Sequence, residues 1–236
     1  MSTCRLCQQD LELRNSHIVP EFLYRELYND KGHMMGINGL GRKGWKPLQK
    51  GISQKLFCEA CEQHFNEHCE KPFKRLWIDN PILPSPWPKN EPFAVTVDYT
   101  AFKLFHLSVL YRASVSTLPT FAEVSLGPHE EKIRQMILTR NPGFARQYPI
   151  MGIVLLDKKM ERPTHLVTMP VQTRFEGLRC YSSAYGGVNW WIAVSSHPST
   201  EWLSASVTES GELPLVGMPW TELGLIRQAS SALKRA

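Results

Sequence analysis

Apolar side chains recur every three or four residues in four long segments of this chain, which is the spacing of one face of a helix. The four segments are 58–77, 101–116, 128–140 and 220–233, and residues 21–27 have the composition of a short helical turn. Glu59 and Glu62 suit the start of the first segment because a helix N-terminus favours negative charge. Pro128 suits the first turn of the third segment. We therefore predict four helices and one turn.

Short segments rich in β-branched and aromatic residues predict strands, mostly in the second half of the chain. They are 13–19, which is also compatible with a hairpin arm, and 150–156, 165–171, 178–182, 189–195 and 203–208. Repeated prolines between Asp79 and Pro92 exclude a continuous helix and favour an extended connector. The pattern predicts an α+β protein with three parts. These are residues 1–78, a proline-rich linker at 79–92, and an α+β domain with an antiparallel sheet at 93–236.

Composition places the chain among ordinary globular proteins, with 42% hydrophobic and 21% charged residues in a length of 236. The N-terminus lacks the apolar core of a signal peptide, and apolar runs such as 153–156 are too short to cross a bilayer. We expect a soluble, cytoplasmic protein that makes no contact with membranes. In a reducing compartment the six cysteines favour metal binding over disulfides, and Cys69 and Cys180 are expected to be packing residues.

The other four cysteines form two Cys-x2-Cys pairs, Cys4/Cys7 and Cys58/Cys61. A spacer of two residues lets both thiolates of one turn face the same ion, and Zn²⁺ prefers four such ligands in a tetrahedron. The pairs therefore predict a structural zinc site. The segment between them, 8–57, is much longer than the roughly 15 to 20 residues of a simple four-cysteine ribbon, which indicates a functional insertion.

The second half of this insertion is basic, because no acidic residue lies between Lys31 and Cys58. A positive segment of this kind suits the phosphate backbone of a nucleic acid, although a solvated, mobile loop can have the same composition. The residues that we expect to contact DNA are Arg42, Lys43, Lys46, Lys50 and Lys55.

His17 also lies in the insertion, and imidazole is the side chain best suited to accept a proton from water near neutral pH. A histidine taken alone is more often structural than catalytic. Its surroundings change that balance, because Ser16-His17-Ile18-Val19-Pro20, flanked by the two cysteine pairs, resembles the HNH endonucleases of the His-Me finger superfamily. The resemblance implies a zinc-stapled, treble-clef ββα-metal finger with His17 as the general base.

The same resemblance implies a site for a catalytic divalent ion, Mg²⁺ or Mn²⁺, on this finger. Its ligands would be Glu62, directly after the last cysteine, and Asn66, four residues further on the same helix face. Ser16 would be a third ligand. Gln54, near the position where the family has an asparagine, would orient His17.

Three longer stretches resemble a bacterial HNH-like subgroup that is associated with antiphage defence. They are 16–24, 56–62 and 107–114. The resemblance implies a metal-dependent DNA endonuclease, a hydrolase acting on phosphodiester bonds, in which the zinc is structural. The resemblance is also compatible with a protein partner or activator in a defence complex.

Two other functions stay open on the residues alone. The first is a non-catalytic zinc module that binds nucleic acid through the insertion, and the second is a regulatory or scaffolding subunit. His64 and His68 have the spacing of a further metal site but are more simply explained as a solvated helix face. The second half of the chain carries no catalytic motif, so a role in specificity or partner docking is assigned to it by elimination.

Overall fold

The computed structural model describes residues 2–37, 45–48, 51–88, 93–195 and 197–223. Within these residues, three antiparallel strand pairs lie before residue 80. They are β1 (Ser2–Thr3) with β2 (Asp10–Leu11), β3 (Leu13–His17) with β6 (Ser53–Cys58), and β4 (Met34–Ile37) with β5 (Trp45–Leu48). The predicted helical turn is present as a 3₁₀ helix, Glu21–Leu27, which follows β3.

A long helix begins directly after β6 and confirms the first predicted helix. It consists of α1 (Glu59–Phe65), a π-helical segment (Asn66–Glu70), α2 (Lys71–Phe73) and a second π-helical segment (Lys74–Asp79), and we call the whole run 59–79 the finger helix. Its buried side chains are spaced by four residues, at Cys61, Phe65, Cys69, Phe73 and Trp77. An α-helix would rotate such a stripe by about 40° at each step. The wider π turns offset that rotation and keep the stripe on one side.

The second part of the chain is built on a six-stranded sheet in the order β7-β12-β8-β11-β10-β9. The strands are β7 (Phe93–Thr96), β8 (Ile150–Leu156), β9 (Val171–Phe175), β10 (Leu178–Tyr185), β11 (Val188–Ala193) and β12 (Glu212–Pro219). Neighbouring strands are antiparallel except β8 and β12, which are parallel. The prediction of an α+β protein with a mostly antiparallel sheet is confirmed.

Helix α3 (Tyr99–Val115) lies between the finger helix and the sheet and is buried on nearly every side. Phe105 of α3 stacks on Phe73 of the finger helix, with ring centroids 3.7 Å apart. Phe102 of α3 meets Trp190 of β11 edge to face at 5.3 Å. These contacts make α3 the element that joins the two parts of the chain.

Helix α4 (His129–Thr139) confirms the third predicted helix. The closing helix predicted at 220–233 begins as a 3₁₀ helix, Trp220–Glu222, and residues 224–233 lie outside the described part of the chain.

The strand predicted at 203–208 is wrong, because a short helix, α5 (Thr200–Ser204), extends into it. The hydroxyl of Ser199 accepts a hydrogen bond from the N–H of Trp202 at 3.3 Å and caps this helix. The sequence Ser-Thr-Glu therefore acts as a helix start, and only the isolated bridge of Ser206 remains of the predicted strand.

The strand predicted at 165–171 is also misplaced, since β9 begins only at Val171. Thr168 still bonds to Ala184 of β10, but it does so with its side-chain hydroxyl (2.8 Å) as well as its backbone N–H (2.9 Å). A hydroxyl that replaces a backbone carbonyl ends the regular pairing of a strand.

The hydrophobic core continues across the proline-rich segment. The indole of Trp77 donates to the carbonyl of Gly186, between β10 and β11, at 2.9 Å. Trp87, inside the predicted linker, is buried and packs edge to face on Phe93 at 5.4 Å. The predicted boundary at 79–92 stays a prediction, although both sides share one core. No helix among the described residues has the length and apolar character needed to span a membrane.

Candidate metal centre and catalytic site

The four paired cysteines converge on one point. Cys4 and Cys7 belong to the turn between β1 and β2, and Cys58 and Cys61 lie where β6 passes into the finger helix. The four sulfur atoms lie within 4.8 Å of one another, and those of Cys7 and Cys58 are 3.9 Å apart. A tetrahedral zinc with Zn–S bonds of about 2.3 Å places its sulfurs about 3.8 Å apart. The cluster could therefore hold a zinc ion, as the spacing predicts.

The surroundings of the cluster favour thiolates only in part. Burial acts to raise the pKa of the Cys4 thiol, but the backbone N–H groups of Cys58, Cys7 and Leu6 lower it overall. Burial raises the pKa of Cys61, and the neighbouring thiols raise it further. Four close thiols therefore do not all ionise without a cation among them. The donor set fits a divalent soft cation, and it is the one such His, Cys, Asp or Glu cluster in the described part of the chain.

His17 ends strand β3, and both sides of its backbone are fixed. The N–H of Ile18 donates to the carbonyl of Ile52 at 3.0 Å. The guanidinium of Arg112 donates to the carbonyl of His17 at 3.3 Å. The His17 side chain itself is 32% exposed. The fixed backbone thus presents a ring that water can reach.

Glu21 is the partner of this ring, and the sequence analysis did not identify it. Its Oε2 lies 3.3 Å from Nε2 of His17 and also accepts from the N–H of Gly51 at 3.4 Å. Its Oε1 accepts from the hydroxyl of Tyr28. Burial, and then the hydrogen bond and charge of Glu21, raise the pKa of Tyr28 to about 12. The signal in the sequence that could have identified Glu21 is its position, four residues after His17 and directly after Pro20.

The structure brings Ser16 and Glu62, two of the predicted ligands of the divalent ion, into contact with each other. The buried hydroxyl of Ser16 donates to Oε1 of Glu62 at 2.5 Å. Asn66, one turn further along the finger helix, is exposed. Ser16 and Glu62 are therefore in direct contact, and the binding of an ion by these residues and Asn66 stays a prediction.

The orienting role predicted for Gln54 is wrong. Its side-chain carbonyl accepts from the hydroxyl of Ser116 (2.8 Å) and the N–H of Thr117 (3.0 Å), and its amide donates to the hydroxyl of Thr117 (2.5 Å). The strand register explains this result, because Ser16 lies opposite Gln54 whereas His17 lies opposite Ser53. Gln54 ties β6 to the segment after α3 instead.

The predicted DNA-binding residues are described only in part. Lys55 is exposed on β6, and Lys46 lies in β5, of which the backbone is described. Arg42, Lys43 and Lys50 lie outside the described residues. The predicted contact with DNA stays a prediction.

His64 and His68 do not form the solvated helix face predicted for them, because both rings are half-buried. Nε2 of His64 lies 2.8 Å from the carbonyl of Ile137 at the end of α4, and the two imidazole rings meet edge to face at 4.8 Å. A ring nitrogen that is bonded to a carbonyl oxygen does not bind a metal. His64 therefore joins the finger helix to α4.

Comparison with known proteins finds no matching family model, no matching curated protein and no matching solved structure.

Proposed function

We propose that this chain is a metal-dependent endonuclease that hydrolyses phosphodiester bonds of DNA. The observation that carries the proposal is the half-exposed pair of His17 and Glu21, which lies one residue from the pair of Ser16 and Glu62. Strand β3, which bears Ser16 and His17, is bonded to β6, which leads into the four-cysteine cluster. A zinc ion with four thiolates has no open position, so its role is structural.

In this proposal His17 is the general base. Its Nε2 faces the carboxylate of Glu21, which favours the tautomer with the proton on Nε2 and the lone pair on Nδ1. Nδ1 then takes a proton from water while the water oxygen forms its bond to phosphorus. The bond from phosphorus to the leaving sugar oxygen breaks in the same reaction. The carboxylate of Glu21 stabilises the imidazolium that is formed.

The divalent ion would be held by oxygen atoms of Glu62, Asn66 and Ser16, which suit Mg²⁺ or Mn²⁺. When bound, such an ion neutralises phosphate charge and stabilises the leaving oxygen. Glu62 would bind the ion through its carboxylate, whose Oε1 already accepts a hydrogen bond from the Ser16 hydroxyl. The basic residues Lys46 and Lys55 would contact the DNA backbone. A setting in bacterial antiphage defence follows only from the resemblance of the sequence.

A non-catalytic zinc module that binds nucleic acid is the second candidate. One observation favours it, because the Ser16 hydroxyl already donates a hydrogen bond to the carboxylate of Glu62. In that case the two pairs would only stabilise the strand.

The test is cleavage of supercoiled plasmid during a titration with Mn²⁺. Glu62→Gln should need at least about 10-fold more Mn²⁺ than the parent, because a neutral amide is a weaker ligand. Glu67→Gln is the matched control, since Glu67 is an exposed acid of the same helix that pairs with Lys71. Binding of DNA that weakens with salt, without cleavage by any of the three proteins, would instead favour the second candidate.

A further inference from the structure

Arg112 of α3 is a buried cation at the junction of three elements. Its side chain is 1% exposed, and Nη2 donates to Oε1 of Glu70 on the finger helix at 2.5 Å. Nη1 donates to the carbonyl of His17, at the end of β3, at 3.3 Å. The guanidinium carbon lies 4.4 Å from the ring centroid of Phe65, which is also on the finger helix.

These contacts are specific to the shape of arginine. A planar guanidinium can donate in two directions at once and stack on a ring, whereas an ammonium group is a point charge on a flexible chain. Removing either partner from a buried ion pair is costly because it leaves the other charge without compensation. Arg112 therefore sets the position of the β3 end relative to the finger helix.

We infer that Arg112 is a positioning residue, through which the second part of the chain holds His17 in register with Glu62 on the finger helix. The catalytic part of this inference rests on the proposed nuclease function. The positional part does not, because it concerns only where the end of β3 lies. Residues 1–78 would then lack an essential support of their own site.

Hydrogen exchange at the amide of Ile18 tests the positional part, since this N–H is bonded to Ile52 directly after His17. In full-length, zinc-loaded Arg112→Lys, exchange at Ile18 should be at least about 10-fold faster than in the parent, because the lysine cannot reach both partners. Glu70→Gln should give a smaller increase in the exchange rate at Ile18. This variant alone tests the inference if Arg112→Lys does not fold. Arg134→Lys is the matched control. Arg134 is also buried and paired with a carboxylate, but it donates to the carbonyl of Leu6.

The catalytic part is tested by cleavage kinetics on the same proteins. For Arg112→Lys we expect kcat to fall about 10- to 100-fold with little change in the KM for DNA, since a small displacement of a base lowers the rate more than binding. A parent without nuclease activity would refute the proposed function and leave the exchange result standing. Exchange at Ile18 at the parental rate in both Arg112→Lys and Glu70→Gln would refute the inference itself.

Discussion

The hydroxyl of Ser16 donates to the carboxylate of Glu62 across 2.5 Å, and this bond joins the strand that carries His17 to the finger helix. Ser16 is almost fully buried, at 1% exposure. The bond thus joins the proposed metal ligand, Glu62, to the residue directly before the proposed base, His17. It also gives a direct way to ask whether Glu62 binds an ion.

Substitutions of Ser16 should separate its structural role from its role near the ion. Ser16→Ala loses one hydrogen bond to a carboxylate, so its free energy of unfolding should fall by about 1 to 3 kcal/mol. Ser16→Asp sets a second carboxylate against Glu62 and should be less stable still without divalent ions. Mn²⁺ should then stabilise Ser16→Asp more than the parent in urea unfolding. An equal response to Mn²⁺ in all three proteins would argue against an ion at Glu62.

Loss of one cysteine ligand should remove the zinc and much of the stability of the first part of the chain. Cys58→Ser should retain well under one zinc per chain, whereas Cys69→Ser, which changes a buried cysteine outside the cluster, should retain the parental amount. Because zinc binds the deprotonated thiols, zinc release should also become easier as the pH falls. Metal analysis and thermal unfolding of both variants check this. Equal zinc content in the two variants would contradict the assignment.

Glu21→Gln should slow cleavage without weakening DNA binding. A glutamine cannot stabilise an imidazolium by charge, and its amide group would face the donors of Tyr28 and Gly51. We expect single-turnover cleavage to slow about 10-fold or more. Glu26→Gln, an exposed acid in the same 3₁₀ helix, is the control and should cleave at the parental rate. Equal rates for the two variants would show that Glu21 does not support the base.

The sequence predicts local features of the site well, because local spacing determines them. Two turns of Cys-x2-Cys can face one ion wherever the fold places them, and the four sulfurs do meet. The finger helix, α3 and α4 follow from apolar spacing for the same reason. The partner predicted for His17, by contrast, is chosen because Gln54 lies near the position of an asparagine in the family that the sequence resembles. The register of β3 with β6 places Gln54 opposite Ser16, and Glu21 is the side chain that lies beside His17.

Long-range pairings were beyond the reach of the sequence. The parallel pairing of β12 with β8 joins residues far apart in the chain. Strand β12 itself is not predicted, because it contains prolines and a glycine, which have a low propensity for strands. His106 is a similar case, because a lone histidine in an apolar segment gives no sign of its partner. Its Nδ1 lies 2.6 Å from the hydroxyl of Tyr185, deep in the core. Such pairs depend on how α3 packs on the sheet.

Lys103 should make stability depend on pH above neutrality. It is buried at 1% exposure, and Nζ donates to the hydroxyl of Tyr99 and the carbonyl of Phe144. Burial lowers its pKa from 10.5 to about 7, although the charge of Glu209 acts in the opposite direction. Between these two values the unfolded chain binds more protons than the folded one, so stability should rise with pH from about 7 to 10.5.

Lys103→Met should remove this rise. The free energy of unfolding of the parent should increase from pH 7 to pH 10 by on the order of a few kcal/mol more than that of the variant. Urea unfolding at several pH values, with zinc bound throughout, measures the difference. Parallel pH profiles for the two proteins would mean that Lys103 is not perturbed as described.

The most direct measurement is cleavage of plasmid DNA by purified parent and His17→Ala with Mg²⁺ or Mn²⁺, at equal bound zinc. His165→Ala, which changes an exposed histidine of the second part, is the control. We expect cleavage by the parent and the control, and a loss of at least about 100-fold in His17→Ala with unchanged affinity for DNA. Cleavage by His17→Ala at the parental rate would contradict the role of His17 as the base.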